Sequence, residues 1–408
     1  MLKKQSFFLL AVAICFFLTG CWNRKELNEL SITSGTAFEK LDGEWEVSYQ
    51  VVIPSAISAG MGTSGGGGPS LPVIVYSTRG KTVREAVSKS FRESPRRLFF
   101  AHNRVLIISE KVAREGIDEI LDLYLRNPDA RETVNVLITQ EAPKTILQQL
   151  THIERIPGEA IQRIIDMEAK NESVLPNVMV YQLAQSVVGE SHSSMIPEIY
   201  ISGKAKNSNM DMLKQTNLPS ALKLGRLAVL KEGKMIGWLE QNETQGIAFM
   251  SDNFRSGSIT FACNQKSEGS NQNTVHVIRS NTKLTPMLEN GRFKMKIVIE
   301  GKGVLMETGC SLDLNDPKSI SQLEELASQD VRRKIDLAWK KTKGMKVDIM
   351  GFAEAIHHRF PKEWKKIKKD WDSSLASMTI EPHIKISIEH VGLSNKSFKL
   401  LNKKDGGD

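Results

Sequence analysis

The residues of this 408-residue chain with the chemistry to do work are its cysteines, a histidine pair, two serine-containing motifs and a glycine-rich loop. Gly60-Met61-Gly62-Thr63-Ser64-Gly65 has GxGxxG spacing, which cradles a pyrophosphate when a helix opens directly behind it. Here the loop runs on into Gly66-Gly67-Gly68-Pro69, which opens no helix tightly, and no acidic residue closes a second strand about 20 residues later. It reads as a flexible loop. Ser220-Ala221-Leu222-Lys223 and Ser251-Asp252-Asn253 have the SxxK and SDN forms used in serine acyl transfer, but no Lys-Thr-Gly follows them. His357-His358 falls in a helical stretch, where neighbours point about 100° apart and cannot share a metal as i,i+4 histidines do. HExxH and CxxC do not occur. An enzyme is not what these residues predict.

Cys21 is different, because of what precedes it. Lys3 and Lys4 give a positive start, Phe7 to Leu18 is an unbroken apolar run of 12, and Leu18-Thr19-Gly20 leads into the cysteine. Charge, apolar core and small-residue cleavage site in that order make residues 1–20 a secretory signal peptide. The run is too short for a bilayer-spanning helix, which needs about 20 residues. Leu-Thr-Gly-Cys also resembles the lipobox of bacterial lipoproteins. There the cysteine sulfur receives a diacylglyceryl group, cleavage falls just before it, and the new amino terminus is acylated, with palmitate in our reading. At ~0.8 kcal/mol per buried methylene, two chains of ~15 methylenes supply on the order of 20 kcal/mol before ordering costs. One chain binds only marginally, so two or more make a lasting anchor.

Composition sets the frame around that anchor. At 40% hydrophobic and 25% charged residues, the chain has an ordinary globular balance and length for two or three domains. Net charge is +8, falling to +6 once Lys3 and Lys4 leave with the leader. That surplus suits a surface near anionic lipid. It is spread along the chain and not interleaved with stacking aromatics, so nucleic acid is not an expected partner. Of four cysteines, Cys15 leaves with the leader and Cys21 takes lipid. Cys263 and Cys310 remain; sequence cannot place them within bonding reach, and it favours buried free thiols while leaving a bond open.

The elements follow from periodicity and turn chemistry. Strands are expected over 31–38 and 45–53, joined at Asp42-Gly43, then over 72–77, 104–109 and 133–139. Thr82 to Glu85 reads as a capping box opening a helix with the apolar face Val83, Ala86, Val87, Phe91. A single helix is expected over 110–126, and a more helical stretch over 142–150, 158–172 and 178–188. Residues 197–202 read as extended. A hairpin turns at Glu232-Gly233 within 226–239, a short helix starts on Asn242, and strands follow over 258–262, 274–283 and 292–305. Asp316-Pro317 opens the longest helix, with the stripe Ile320, Leu323, Ala327, Val331, Ile335, Ala338 and a stop at Gly344. Helices over 347–359 and 362–372, a strand through Ile384, Ile386 and Ile388, and a polar tail from 394 complete the chain. In 362–371, Trp364, Ile367 and Trp371 share a face, with Lys362, Lys365, Lys366, Lys368 and Lys369 mostly elsewhere. The plain reading is a core face with a solvated basic back; contact with anionic lipid or an acidic loop is the sharper one.

Several of these residues carry a resemblance in common. Cys21-Trp22-Asn23-Arg24-Lys25-Glu26-Leu27 resembles the mature start of the Ger(x)C spore germination lipoproteins, the GerAC-like germinant receptor C subunits. Gly225 to Leu230, then Gly237-Trp238-Leu239 and Glu243-Thr244-Gln245-Gly246, is similar to their central signature. Asp348 to Gly351, Phe360-Pro361 and Trp364 to Trp371 resemble their late helical pattern. Gln245 stands where arginine is common, a departure expected to bear on a surface contact, and the 60–68 loop is unusually long. The resemblance implies an α+β chain of three consecutive domains, each a sheet with surrounding helices. Its parts are an N-terminal region over 21–200 (sheet and helices 31–140, helical 141–200) and a C-terminal region over 216–395 (hairpin part 216–256, sheet and helices 257–395), with a tail over 396–408. It implies a lipid-anchored, non-enzymatic C subunit on the outer face of the spore inner membrane, or of a cell membrane. The partners implied are the A and B membrane subunits, with any nutrient contact indirect. It carries over no catalytic residue, cofactor or metal ligand; the position that transfers is Cys21. The competing expectation is a lipid-anchored extracytoplasmic binding protein that captures a small ligand itself.

Overall fold

Alternating apolar residues and positive-φ turns build the first sheet. The computed structural model describes residues 29–58, 71–203, 219–263 and 271–392, with isolated positions at 208, 211, 216, 396, 397 and 400. Strands β1 (Leu30–Leu41) and β2 (Glu44–Val52) form a hairpin around Asp42 and Gly43 at φ 53° and 83°, the pair of left-handed residues that a two-residue turn needs. After α1 (Pro54–Ser58), β3 (Val73–Gly80) pairs antiparallel with β2. Helix α2 (Val83–Glu93) is capped by Thr82, whose hydroxyl accepts from the Glu85 N–H at 3.0 Å. Val83, Ala86 and Val87 are buried, but Phe91, expected on the same core face, is 62% exposed. Strand β4 (Arg97–Phe99) pairs parallel with the first residues of β1, and β5 (Val105–Ser109) pairs parallel with its middle. The helix expected over 110–126 is two, α3 (Glu110–Glu115) and α4 (Asp118–Arg126). Gly116 at φ 136° breaks it, and the Ile117 N–H donates to the Gly233 carbonyl instead of to its own helix.

Strand β6 (Asn135–Thr139) joins β5 in parallel, and both are buried at every position, the pattern of strands covered on both faces. Helices α5 (Pro143–Gln148), α6 (Pro157–Asn171) and α7 (Val180–Val188) then lead to β7 (Ser193–Gly203), β8 (Ser220–Lys231) and β9 (Lys234–Leu239), an antiparallel set. Glu232 and Gly233 turn the β8–β9 hairpin at φ 49° and 73°. The set β7–β8–β9 is joined to β6 through the register pair Ile138↔Glu198. Two of the three expected sheets therefore merge into one of nine strands, ordered β3-β2-β1-β5-β6-β7-β8-β9 with β4 beside β1.

The second sheet has four strands in the order β10-β11-β12-β13: β10 (Gly257–Ala262), β11 (Gln272–Glu289), β12 (Arg292–Thr308) and β13 (Thr379–His390). Helix α8 (Gln241–Met250) precedes it, opening on Glu240, whose N–H donates to the Glu243 carboxylate at 2.9 Å, not on Asn242. Helix α9 (Pro317–Met345) is the longest. Asp316 caps it at 3.1 Å from the Lys318 N–H, and it runs through Gly344 to end where Lys346 turns left-handed at φ 56°. Helices α10 (Phe352–Arg359), α11 (Pro361–Ile367) and α12 (Trp371–Ser377) close the layer.

The β8–β9 hairpin belongs to both halves. Leu227, Val229 and Leu239 sit in the core shared with β10–β12, α9 and the late helices. Ala228, Leu230 and Met235, on the alternate face, sit in the core shared with β1, β2 and α2–α4. Period-two alternation along β8, with the irregularity at Val229/Leu230 that shifts β9 between Gly237 and Met235, thus makes one hairpin a wall common to two cores.

Candidate functional site

Cys21 and the 60–68 loop lie outside the described residues, which begin at Glu29, just before β1. The enzyme-like sets do not assemble into a reaction centre. Ser220 and Lys223 are three apart on β8 and so face opposite sides of a strand; Ser220 is buried and accepts from Gln149 at 2.9 Å. Asp252 is held by Arg255 at 2.7 Å and by the Thr282 N–H at 2.7 Å. His357 Nδ1 stands 2.8 Å from the Glu190 carboxylate. Among the described residues, no group of three His, Cys, Asp or Glu side chains is placed to hold a metal.

The central signature instead builds a polar joint where the merged sheets meet. Arg226 grips Glu198 with two guanidinium nitrogens, at 2.9 and 2.7 Å, and its backbone N–H adds a third bond at 3.0 Å. Its Nη2 also reaches Gln140 at 2.7 Å. The guanidinium lies over Trp238, 4.4 Å from the ring centroid, and Trp238 Nε1 donates to Glu110 at 3.3 Å. Glu198 is only 5% exposed, and a bidentate arginine is the partner that makes a buried carboxylate tolerable. Hydrogen bonding to Glu198 in turn holds the guanidinium above its ordinary range. Gly225 leaves room for this carboxylate, since a Cβ there would stand 2.5 Å from Glu198 Oε2 and press it away from its place on Arg226. Glu198 is also the residue paired with Ile138, so the motif locks the pair that fuses the two strand sets. Sequence reading named Arg226 and Trp238 and missed Glu198. Its signal was present: a carboxylate in the apolar run Met195-Ile196-Pro197-Glu198-Ile199 needs a partner.

The rest of the signature packs α8 onto its neighbours. Gln245, expected at a surface contact, is buried and donates to the Ser258 carbonyl at 3.0 Å, tying α8 to β10. Gly246 lets α8 approach α9: a Cβ would lie 2.3 Å from the Lys334 carbonyl oxygen.

In the late pattern, Asp348 replaces the first turn of the expected 347–359 helix. Its carboxylate accepts the N–H groups of Met350, Gly351, Phe352 and Ala353 at 3.3, 3.1, 3.0 and 2.6 Å. Burial pushes this carboxyl up to about 6 despite those donors. Trp364 and Trp371 are buried and meet edge to face at 5.1 Å, while Lys362, Lys365, Lys366, Lys368 and Lys369 are exposed. Core face and solvated back are both as the plain reading has them. Trp364 Nε1 donates to Glu190 at 3.0 Å, so Glu190, from the turn before β7, takes two donors from the C-terminal half.

Cys263 and Cys310 form a disulfide with Cα atoms 5.7 Å apart, against the expectation of free thiols. Register brings them together. Ala262 pairs with Gln272, Thr308 pairs with Asn273, and both cysteines leave their strands beside the buried Asn273. A groove of about 550 Å³ runs between α2 and α4, floored by Val83, Val87, Leu98 and Phe100. Of its arginines, Arg97 and Arg126 are already paired with Asp129 and Asp122.

Fold and motifs together define an α+β protein whose signature residues hold strand sets and helices together. A family model described as the spore germination protein N-terminal domain matches residues 23–201, and one described as spore germination B3/GerAC-like, C-terminal, matches residues 225–392. The chain belongs to the GerAC-like family of spore germination proteins. It is 27% identical to spore germination protein KC of Bacillus subtilis (strain 168), over 99% of this chain and 100% of that one. Identity to spore germination protein A3 of the same organism is 24%, over 90% and 93%. The crystal structure of the GerBC protein superposes with a TM-score of 0.52 at 17% identity, covering 90% of this chain and all of that one, and shows a shared fold.

Proposed function

We propose that this chain is the lipid-anchored, non-enzymatic C subunit of a spore germinant receptor. It works beside the A and B membrane subunits in nutrient-triggered germination, on the outer face of the spore inner membrane. The observation carrying this is the order of parts: a leader-like stretch over 1–20 running into Cys21, then both family regions in sequence over 23–201 and 225–392. Cys21 carries the S-diacylglyceryl and N-palmitoyl groups. Among the described residues no helix is long and apolar enough to cross a bilayer, and in this reading attachment is through Cys21. The non-enzymatic reading is supported by the signature's polar groups, which are engaged with one another in structural roles.

Replacing Cys21 with Ala tests this. The variant is expected to leave the membrane fraction of spores and to slow the nutrient response, while germination by a receptor-independent trigger stays normal. Membrane-bound, fully responsive Cys21→Ala spores would refute it.

A further inference from the structure

The place where the tether joins the fold is the N-terminal end of β1, and the residues around it are ordered by direct contacts. Leu30 pairs with Arg97, and Ser31 Oγ lies 3.4 Å from Ser94 Oγ, which puts the α2–β4 turn on one side. On the other side Thr33 pairs with Val51, and the Ile53 N–H donates to the Pro72 carbonyl at 2.8 Å, which puts the start of β3 at the same end. Val73, Leu150 and Ile156 pack together with Val52, so the turn between α5 and α6 closes that end as well. These strand ends span three inter-strand spacings, about 14 Å.

What this end exposes is unusual for a surface facing only water. Ile153, at the tip of the α5–α6 turn, is 102% exposed, and Leu71 is 42% exposed. Phe91, in the last turn of α2, has left the core face that its periodicity assigns it. Arg92 and Arg96, beside the end of α2, and Arg155, in the α5–α6 turn, are exposed at the same end and form no ion pair among the described residues. Single exposed apolar side chains are common, but here Ile153 and Leu71, linked beneath through Val73, Leu150 and Ile156 on one side, and Phe91 on the α2 side all fall at one end of the sheet, where a flat interface meets them together. Glu29 and Glu93 are also exposed here, so net charge is not the source of attraction. Apolar side chains entering an interface, with guanidinium groups on phosphate oxygens, are.

We propose that this end of the first sheet is the face that rests on anionic phospholipid headgroups, with Ile153 and Leu71 inserted shallowly and Arg92, Arg96 and Arg155 on phosphates. The occupant follows from the tether: eight residue steps separate Cys21 from Glu29, so the face is held within roughly 29 Å of the lipid. At that effective concentration a weak insertion is enough to fix orientation. The proposal rests on Cys21 being lipidated.

The test uses the full-length lipoprotein in phosphatidylglycerol–phosphatidylethanolamine vesicles, carrying Ile153→Cys or Lys81→Cys labelled with an environment-sensitive fluorophore. Lys81 is exposed and follows β3 at its opposite end. Lipidation of Cys21 and the Cys263–Cys310 bond leave the introduced thiol as the reactive one. Flotation with the vesicles is read first; failure there refutes the anchor, and the face with it. With flotation intact, the label at 153 is expected to shift to the blue and to be quenched several-fold more by lipids with a shallow quencher than the label at 81. Equal quenching, or stronger quenching at 81, overturns the face while leaving the anchor standing.

Discussion

Asp348 concentrates the chemistry of the C-terminal half into one side chain. Its carboxyl is raised from 3.8 to about 6 by burial. The folded state therefore holds the proton to higher pH than the unfolded chain does. The stability gained this way is complete below pH about 4 and is lost as pH rises to about 6, roughly 3 kcal/mol in all. Asp348→Asn removes that titration. Denaturant titrations across this range should show the variant, weaker at acid pH through the lost Ala353 acceptor, gaining on the parent by up to roughly 3 kcal/mol at neutral pH. Parallel curves would contradict the buried-acid account. At this scale the sequence named many of the side chains that matter, Arg226, Trp238, Asp348 and Trp364 among them. It gave neither Glu198 nor Glu190 as partner, because each comes from a distant segment and is recognised only by what it touches.

Among the elements, strands and turns were the more legible. Phe293, Met295, Ile297 and Ile299 alternate along β12 and are all buried, and the turns at Asp42-Gly43 and Glu232-Gly233 fall where their left-handed residues require. Helix limits were less so. The break at Gly116 is fixed by a bond from Ile117 to another hairpin, and the stop at Lys346 overrides Gly344. The first depends on a contact remote in sequence; at Lys346 the capping bonds are local, to Thr342 and Lys343, but a left-handed lysine carries no stop signal of its own. Helices α8 and α9 offer a direct contest between local and tertiary forces at Gly246. Propensity alone favours alanine in a helix by about 1 kcal/mol. The Cβ contact of 2.3 Å with a backbone oxygen opposes it, because that oxygen cannot swing aside. Gly246→Ala is expected to lower stability by about 1–3 kcal/mol, read as a fall in Tm. A rise would show that α8 lifts freely from α9.

In the whole molecule, the shared β8–β9 wall joins what would otherwise be two domains, and Glu190, Glu172 and Lys231 add polar contacts between the halves. Unfolding one core exposes half of that hairpin and strips the other core of a side. Calorimetry of the mature chain is expected to give one transition, with calorimetric and van't Hoff enthalpies in agreement; two resolved transitions would show that the hairpin does not couple them. Membership of the GerAC-like family is written in local order along the chain, and the α+β class follows from periodicity. Those features need only neighbours in sequence. The merging of strand sets at Ile138↔Glu198, the Cys263–Cys310 bond and the displacement of Phe91 from the core needed the folded chain. Register and packing bring distant residues within a few ångströms, and no local pattern carries that distance.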